Sequence, residues 1–352
     1  MNLTALLKFV VEKKGTDLFI NVGAPPMVKI LGIMKPIGQT ALSEAHVNEI
    51  IKTMLTEEQM LEFEDKLELD LGYTLEGMGR FRLNVYYQKG HPALVARFIV
   101  SEIPSLEQLN LPANLEDLAL LKRGLVLVVG ATGTGKSTTL ASMINFRNEN
   151  SSGHILTIED PVEFVHSHKK SLISQREIGL DTHSYKSALS SAMREAPDVI
   201  LIGESRTAET MRSAITFAET GHLCYTTVHA NNARQAIDRV VNLYPQNLHK
   251  QVRSDLAEHL KAIICQRLPI STDGDRVPAV EIMMCTPYVQ ELIREGNIDS
   301  IQDAMVKDND DGSQTFDQAL YGLFIEKRIT QEEALKYADS KDNLKLMIRF
   351  GD

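Results

Sequence analysis

Gly130-Ala131-Thr132-Gly133-Thr134-Gly135-Lys136-Ser137 decides how the chain is read, because it fits G-x-x-x-x-G-K-[ST]. Before it runs Leu125-Val126-Leu127-Val128-Val129, short, apolar and β-branched, as a buried strand should be. After it, Thr138-Thr139-Leu140-Ala141-Ser142-Met143-Ile144 can begin a helix. Strand, glycine loop and helix in that order are the context a phosphate-binding loop requires. The glycines let backbone wrap an anion at positive φ without a Cβ clash. Successive N–H groups and the helix N-terminus then face the phosphates. Lys136 would reach the β- and γ-phosphates, Ser137 would place its hydroxyl on Mg²⁺, and Gly130 through Thr138 would form the segment that holds a nucleoside triphosphate. A chance match arises in a chain this long on the order of one time in a hundred. The flanking strand and helix lower those odds further.

The remaining composition sets broad limits. At 352 residues there is length for two or three domains, and 43% apolar with 24% charged residues is ordinary for a globular protein. A net charge of −10 argues against sequence-independent binding to nucleic acid, which needs a dense Lys/Arg surface. Cys224, Cys265 and Cys285 form no C-x-x-C pair, so they read as buried reduced thiols rather than zinc ligands or a redox dithiol. No apolar run approaches the ~18–20 residues of a membrane span. Leu3, Leu6, Leu7 and Val10, interrupted by Lys8, make an amphipathic helix rather than a signal peptide. A cytoplasmic protein is expected.

Taken in order, residues 17–22 are a strand candidate, Gly23-Ala24-Pro25-Pro26 a turn, and 27–31 a second strand. Residues 43–65 look helical, 81–88 alternate with period two, and 93–100 make another strand. A small α+β domain over 1–100 follows. Residues 101–120, with Pro104 and Pro112, read as a linker, and 121–352 as strand–helix alternation with a helical tail from about 287. Asp308-Asn309-Asp310-Asp311-Gly312 is polar but lacks EF-hand ligand spacing.

Three apolar strands after the glycine loop finish in polar residues: Ile155–Ile158 in Glu159-Asp160, Val199–Ile202 in Gly203-Glu204, and Leu223–Val228 in His229. Open α/β sheets bind ligands at such carboxyl ends. Glu204 sits where a Walker B acid holds Mg²⁺, directly or through water. Glu163, past the proline-shaped turn, is the candidate to position or deprotonate the attacking water, with Glu159 and Asp160 supporting the metal. His222 and His229 flank one strand and are read as sensors of the γ-phosphate, against the ordinary alternative of structural histidines. Arg80 and Arg82 share a strand face, and with Arg97 they are either solvated cations or donors to a neighbouring subunit's phosphates. The second role is worth on the order of 10³–10⁵ in rate. It demands a head-to-tail contact and hence a closed ring.

Together these residues resemble the secretion ATPases of type IV pilus and type II secretion systems over nearly the whole chain. Asp17-Leu18-Phe19-Ile20 with Pro25-Pro26 leads, followed by the glycine loop. An "Asp box" (Ile158 to Phe164), a Walker B segment (Ala196 to Glu204) and a "His box" (Thr220 to Asn232) come after it in the family's order. Within the family the chain is similar to the retraction branch, PilT and PilU, and more to the PilU side, in its glycine loop, His229-Ala230-Asn231-Asn232-Ala233 and Gln314 to Leu320. It lacks the tetracysteine element of the extension motors. Tyr288 to Glu295 carries Gln290 where PilT has an arginine, and Thr207 stands where relatives often place Asp.

The resemblance implies a RecA-like α/β core behind a PAS-like N-terminal domain. It implies a homohexameric, Mg²⁺-dependent ATPase at the cytoplasmic base of the pilus, with nucleotide between the two domains. Its partners would be the inner-membrane platform protein and a PilT-type retraction ATPase, in pilus retraction and twitching motility, with no membrane insertion and no nucleic acid. Two rivals stand beside it: a RecA-like nucleic-acid translocase, and a nucleotide-binding regulatory subunit with little turnover of its own.

Overall fold

The computed structural model describes residues 2–30, 32–75, 78–99, 102–307 and 312–351. Leu31 and Val100, each at the end of an expected strand, and the acidic run 308–311 lie outside the described residues. The chain divides into two compact units, Met1–Glu102 with Glu163–Val165, and Ile103–Val162 with His166–Asp352.

The first unit contains α1 (Leu3–Glu12), β1 (Asp17–Asn21), β2 (Met27–Ile30), β3 (Ile33–Pro36), α2 (Glu44–Met54), α3 (Glu57–Lys66), β4 (Glu68–Leu75), β5 (Gly79–Gln88) and β6 (His91–Ile99). Leu3, Leu6, Leu7 and Val10 of α1 are all buried, as their helical spacing requires. The stretch expected as one helix is two, because Thr56 caps α3 with a reciprocal bond to Gln59. The strands form an antiparallel sheet in the order β3-β2-β1-β6-β5-β4. Phe81, Leu83 and Val85 of β5 point into the core while their neighbours are less buried, the period-two pattern read in the sequence.

The second unit runs α4 (Asn114–Ala119), β7 (Gly124–Val129), α5 (Lys136–Asn150), β8 (Gly153–Glu159), β9 (Ser171–Glu177), α6 (Tyr185–Ala192), β10 (Val199–Ile202), α7 (Ala208–Glu219), β11 (Leu223–Val228), α8 (Ala233–Asn242), α9 (His249–His259), β12 (Leu260–Arg267) and β13 (Ala279–Met284). Further helices close it: α10 (Pro287–Glu295), α11 (Ile301–Lys307), α12 (Phe316–Ile325), α13 (Gln331–Tyr337) and α14 (Lys341–Phe350). The sheet order is β13-β12-β7-β11-β10-β8-β9, parallel except for the β12–β13 hairpin. Every residue of β7 is buried. Leu125, Leu127 and Val129 pack into one apolar cluster and Val126 and Val128 into another, so both faces of this strand are covered. Full burial of each such side chain stabilises by about 1.5–3 kcal/mol.

Residues 103–120 do not behave as a linker. Leu106, Leu111, Leu115 and Leu118 are buried in the second cluster, and the Tyr225 hydroxyl donates to the Leu118 carbonyl at 3.0 Å. The short leucine-rich pieces bury their apolar side chains against the sheet.

β13 carries an acid into this core. The Glu281 carboxylate is buried opposite Cys265 and accepts the Ala233 N–H at 2.7 Å. Burial pushes its pKa up to about 7 from the ordinary 4.5, against the lowering effect of that hydrogen bond. The folded chain keeps this proton between those values while the unfolded chain has lost it, so stability falls as pH rises through that window. Glu281→Gln should flatten this slope. Thermal melts from pH 4.5 to 7.5 should show wild type losing up to roughly 3 kcal/mol relative to the variant.

Candidate active site

β8, β10, β11 and β7 run parallel and in register, with Ile158 beside Ile202, Ile202 beside Thr226 and Val228 beside Val129. The loops that follow them therefore open at one edge of the sheet. The glycine loop leaves β7 at Gly130 and turns through positive φ at Gly133 and Gly135. A Cβ on Gly130 would stand 2.5 Å from Thr134 Oγ1 and 2.9 Å from the Gln266 carbonyl oxygen, closer than real Cβ atoms come. Gly135 is the N-cap of α5 and offers no side chain to its first N–H groups, which leaves those donors for an anion. The Lys136 ammonium donates to the carbonyls of Gly130 and Ala131 at 2.9 and 2.8 Å. Ser137 and Thr138 follow on the first turn of α5, both half-buried.

Glu204, just past β10, lies between an imidazole and a guanidinium. His229 Nε2 is 3.1 Å from Oε1, and Arg206 donates to Oε2 at 2.7 Å. Burial raises the carboxyl's pKa, but the Arg206 hydrogen bond, with the charges of His229 and Lys136, outweighs it and holds the group below its ordinary 4.5. Lys136 is thus within electrostatic reach of Glu204, which ties the glycine loop to the β10 acid. The Tyr185 hydroxyl is hydrogen-bonded to the Glu204 backbone. Burial and the nearby Asp160 and Glu159 push its phenol well above the usual range, so it stays protonated. Glu159 accepts from the Thr157 hydroxyl at 2.7 Å. Thr207, which replaces the family's common Asp, keeps a capping role by accepting the Thr210 N–H at the start of α7.

The two histidines do not share a site. His222 precedes Leu223, which pairs with Gly124 at the far end of β7 from the glycine loop. Its Nδ1 lies 3.0 Å from the Thr220 hydroxyl and 3.1 Å from the Phe217 carbonyl, and its ring stands edge-on to Phe217. The 6 residues of β11 separate it from His229, which at ~3.3 Å per residue is about 20 Å. Within one chain the two histidines expected to act together are therefore not brought to one place, and only His229 lies at the edge of the glycine loop. Opposite ends of one strand reach opposite edges of the sheet.

Glu163 is exposed in the loop between β8 and β9, and among the described residues its carboxylate has no hydrogen bond or ion pair. In the first unit, Arg82 lies directly across from Arg97, and both are countered by acids. Arg82 is 3.6 Å from Asp70, and Arg97 donates to the buried Asp17 at 2.8 Å. Arg80 pairs with Ile99 on the same strand pair.

A cleft of about 520 Å³ opens beside the glycine loop, lined by Ala131, Thr132, His229, Asn231, Gln235 and Arg239. Arg206 and Tyr185 escaped sequence reading. Arg206 was within reach of it, two positions after the strand-end acid, whereas Tyr185 and Arg239 carry no motif.

Known proteins bear on this geometry. Residues 100–275 match the family model described as "Type II/IV secretion system protein". The type IV pilus ATPase PilU of Pseudomonas aeruginosa is 47% identical over 352 residues, covering 100% of this chain and 92% of that one. The type IV pilus retraction ATPase PilT of the same organism is 41% identical over 97% of this chain and 100% of its own. The crystal structure of the pilus retraction motor PilT with bound ADP superposes with a TM-score of 0.92 at 39% identity, covering 99% of this chain and 100% of that one.

Gly130→Ala should retain the fold by circular dichroism yet weaken binding of a fluorescent ATP analogue at least ~10-fold, because the new methyl collides with a backbone carbonyl inside the loop. Wild-type affinity in a titration would contradict this account of the loop.

Proposed function

The chain belongs to the type II/IV secretion system protein family, and from that premise we propose that it is an ATP-hydrolysing motor of the type IV pilus retraction branch, PilU-like in kind. The observation that carries this reading is the meeting of Lys136, Glu204 and His229 at one sheet edge, with the acid kept ionised by its neighbours.

Phosphoryl transfer to water needs positioning and charge neutralisation more than covalent help from the protein. The N–H groups of the glycine loop and α5 hold the phosphates, and Lys136 exchanges its bonds to the loop carbonyls for phosphate oxygens. Ser137 and Glu204 supply a hydroxyl and an ionised carboxylate, the hard oxygen donors that suit Mg²⁺. When bound, that ion neutralises charge on the β- and γ-phosphates. His229, bonded to Glu204, stands where loss of the γ-phosphate can be felt. Glu163 orients the attacking water. Among the described residues its carboxylate has no partner to displace first.

Arg80, Arg82 and Arg97 complete the site of a neighbouring subunit in a homohexamer, so that hydrolysis moves one subunit against the next. The aspartates that counter Arg82 and Arg97 keep this cationic sheet face tolerable until a phosphate competes for it. Among the described residues no helix is long and apolar enough to cross a membrane. Work at the cytoplasmic base of the pilus then proceeds through the platform protein and alongside a PilT-type ATPase.

Glu163→Ala should lower ATP turnover at least ~100-fold with ATP affinity nearly unchanged, in a steady-state assay paired with a binding titration. A normal rate would remove Glu163 from the water-positioning role. Mixing Lys136→Ala subunits with Arg82→Ala subunits should recover part of the activity, since some interfaces then join an intact loop to an intact arginine. No recovery at any mixing ratio would count against shared sites.

A further inference from the structure

One strand end touches both walls of the nucleotide cleft. β12 lies next to β7 in the sheet and finishes in Gln266-Arg267. Successive side chains on a strand point to opposite faces, so these neighbours reach different loops.

Gln266 serves the glycine loop. Its buried side chain accepts the Thr139 hydroxyl at 2.7 Å, on the first turns of α5. Its amide nitrogen stands 3.0 Å from where a Cβ of Gly135 would be, and its carbonyl oxygen 2.9 Å from that of Gly130. Both structural glycines of the loop are therefore packed against one residue.

Arg267 serves the loop that carries His229. Its guanidinium donates to the Asn231 carbonyl at 3.0 Å, to the Tyr337 carbonyl and to the Asp339 carboxylate. Its guanidinium carbon lies 3.7 Å from the centre of the Phe316 ring. Asp339 also accepts from the Asn232 side-chain amide at 3.1 Å. Its own N–H is bonded to Asp317 at 2.9 Å, so the acid is fixed in turn. The His229–Asn232 segment is thus held at the Asn231 backbone and the Asn232 side chain by one ion pair, half of which comes from the C-terminal helical region.

We infer that Gln266 and Arg267, with Asp339, are positioning residues that keep the two walls of the nucleotide cleft in register, Gln266 for the glycine loop and the Arg267–Asp339 pair for the His229 loop. The C-terminal helical region is then part of the catalytic apparatus rather than an appendage to it. The catalytic consequence rests on the ATPase assignment above, while the restraint on the loops does not.

Three full-length variants separate these roles. Arg267→Lys keeps the charge but loses the planar fork and the ring stacking. Asp339→Asn keeps the shape and loses the ion pair, and Gln266→Leu removes the acceptor for Thr139. The readouts are affinity for fluorescent ADP, steady-state kcat and KM, and amide exchange of residues 229–233 in nucleotide-free protein.

Arg267→Lys and Asp339→Asn should leave ADP affinity within about 2-fold, lower kcat roughly 10- to 100-fold and speed exchange in 229–233 about 10-fold, because a small misplacement of a catalytic wall is costly. Gln266→Leu should do the reverse, weakening ADP about 10-fold while exchange in 229–233 holds. Unchanged kcat and exchange in both Arg267→Lys and Asp339→Asn would overturn the inference. So would affinity and kcat falling together in all three in step with melting temperature. Wild type that binds ATP without turnover, with 229–233 still loosened in the variants, would sink the ATPase assignment and leave the restraint standing.

Discussion

Everything in the second unit depends on how β7 ends. A fully buried strand delivers Val129 to the sheet edge, and within one residue the backbone must wrap tightly enough to present several N–H groups to one anion. Such a turn leaves no room for a Cβ at Gly130, where the Gln266 carbonyl and the Thr134 hydroxyl already press against the loop. The parallel neighbours β11, β10 and β8 keep register with β7, so their terminal residues arrive beside the loop without further arrangement.

Electrostatics at that edge follows from the same register. Glu204 is partly buried, which alone would favour its neutral form. Arg206, His229 and Lys136 reverse that balance, and the carboxylate remains ionised where a cation or a polarised water can use it. The acid that stays charged here contrasts with Glu281, whose pKa rises because it is fully buried, despite the Ala233 N–H, Cys265 and the charge of Arg267. Two glutamates of one sheet are tuned in opposite directions, one by complete burial and the other by partial burial beside Arg206, His229 and Lys136.

The first unit presents a related balance on a different surface. Arg82 and Arg97 stand directly opposed on adjacent strands, an unfavourable arrangement for like charges. Asp70 and Asp17 offset it from the flanking strands. The charged fork of each arginine is thus held by its own acid on the same sheet.

Much of this was legible in the residue order. The strand, glycine loop and helix could be read because their contacts are local, and the strand-end acids and His229 because parallel strands put their carboxyl ends together by rule. The sequence by itself determined the glycine loop, the α/β class, the amphipathic first helix and the site of Glu204. It grouped His222 with His229, which the structure sets at opposite ends of β11, since a histidine beside a strand is placed by which end it occupies. It also misjudged 103–120, whose leucines had an unseen sheet face to cover. Only the tertiary structure decided that Arg206 and His229 share one carboxylate, and that Gln266, Arg267 and Asp339 brace opposite walls of the cleft. Apart from Arg206, two positions from Glu204, those partners lie tens of residues or more apart along the chain, 72 for Arg267 and Asp339 and 127 for Thr139 and Gln266, and the forces that join them act over a few ångströms. Periodicity and motif spacing record neighbours along the chain, whereas these contacts exist only once β12 has been laid beside β7.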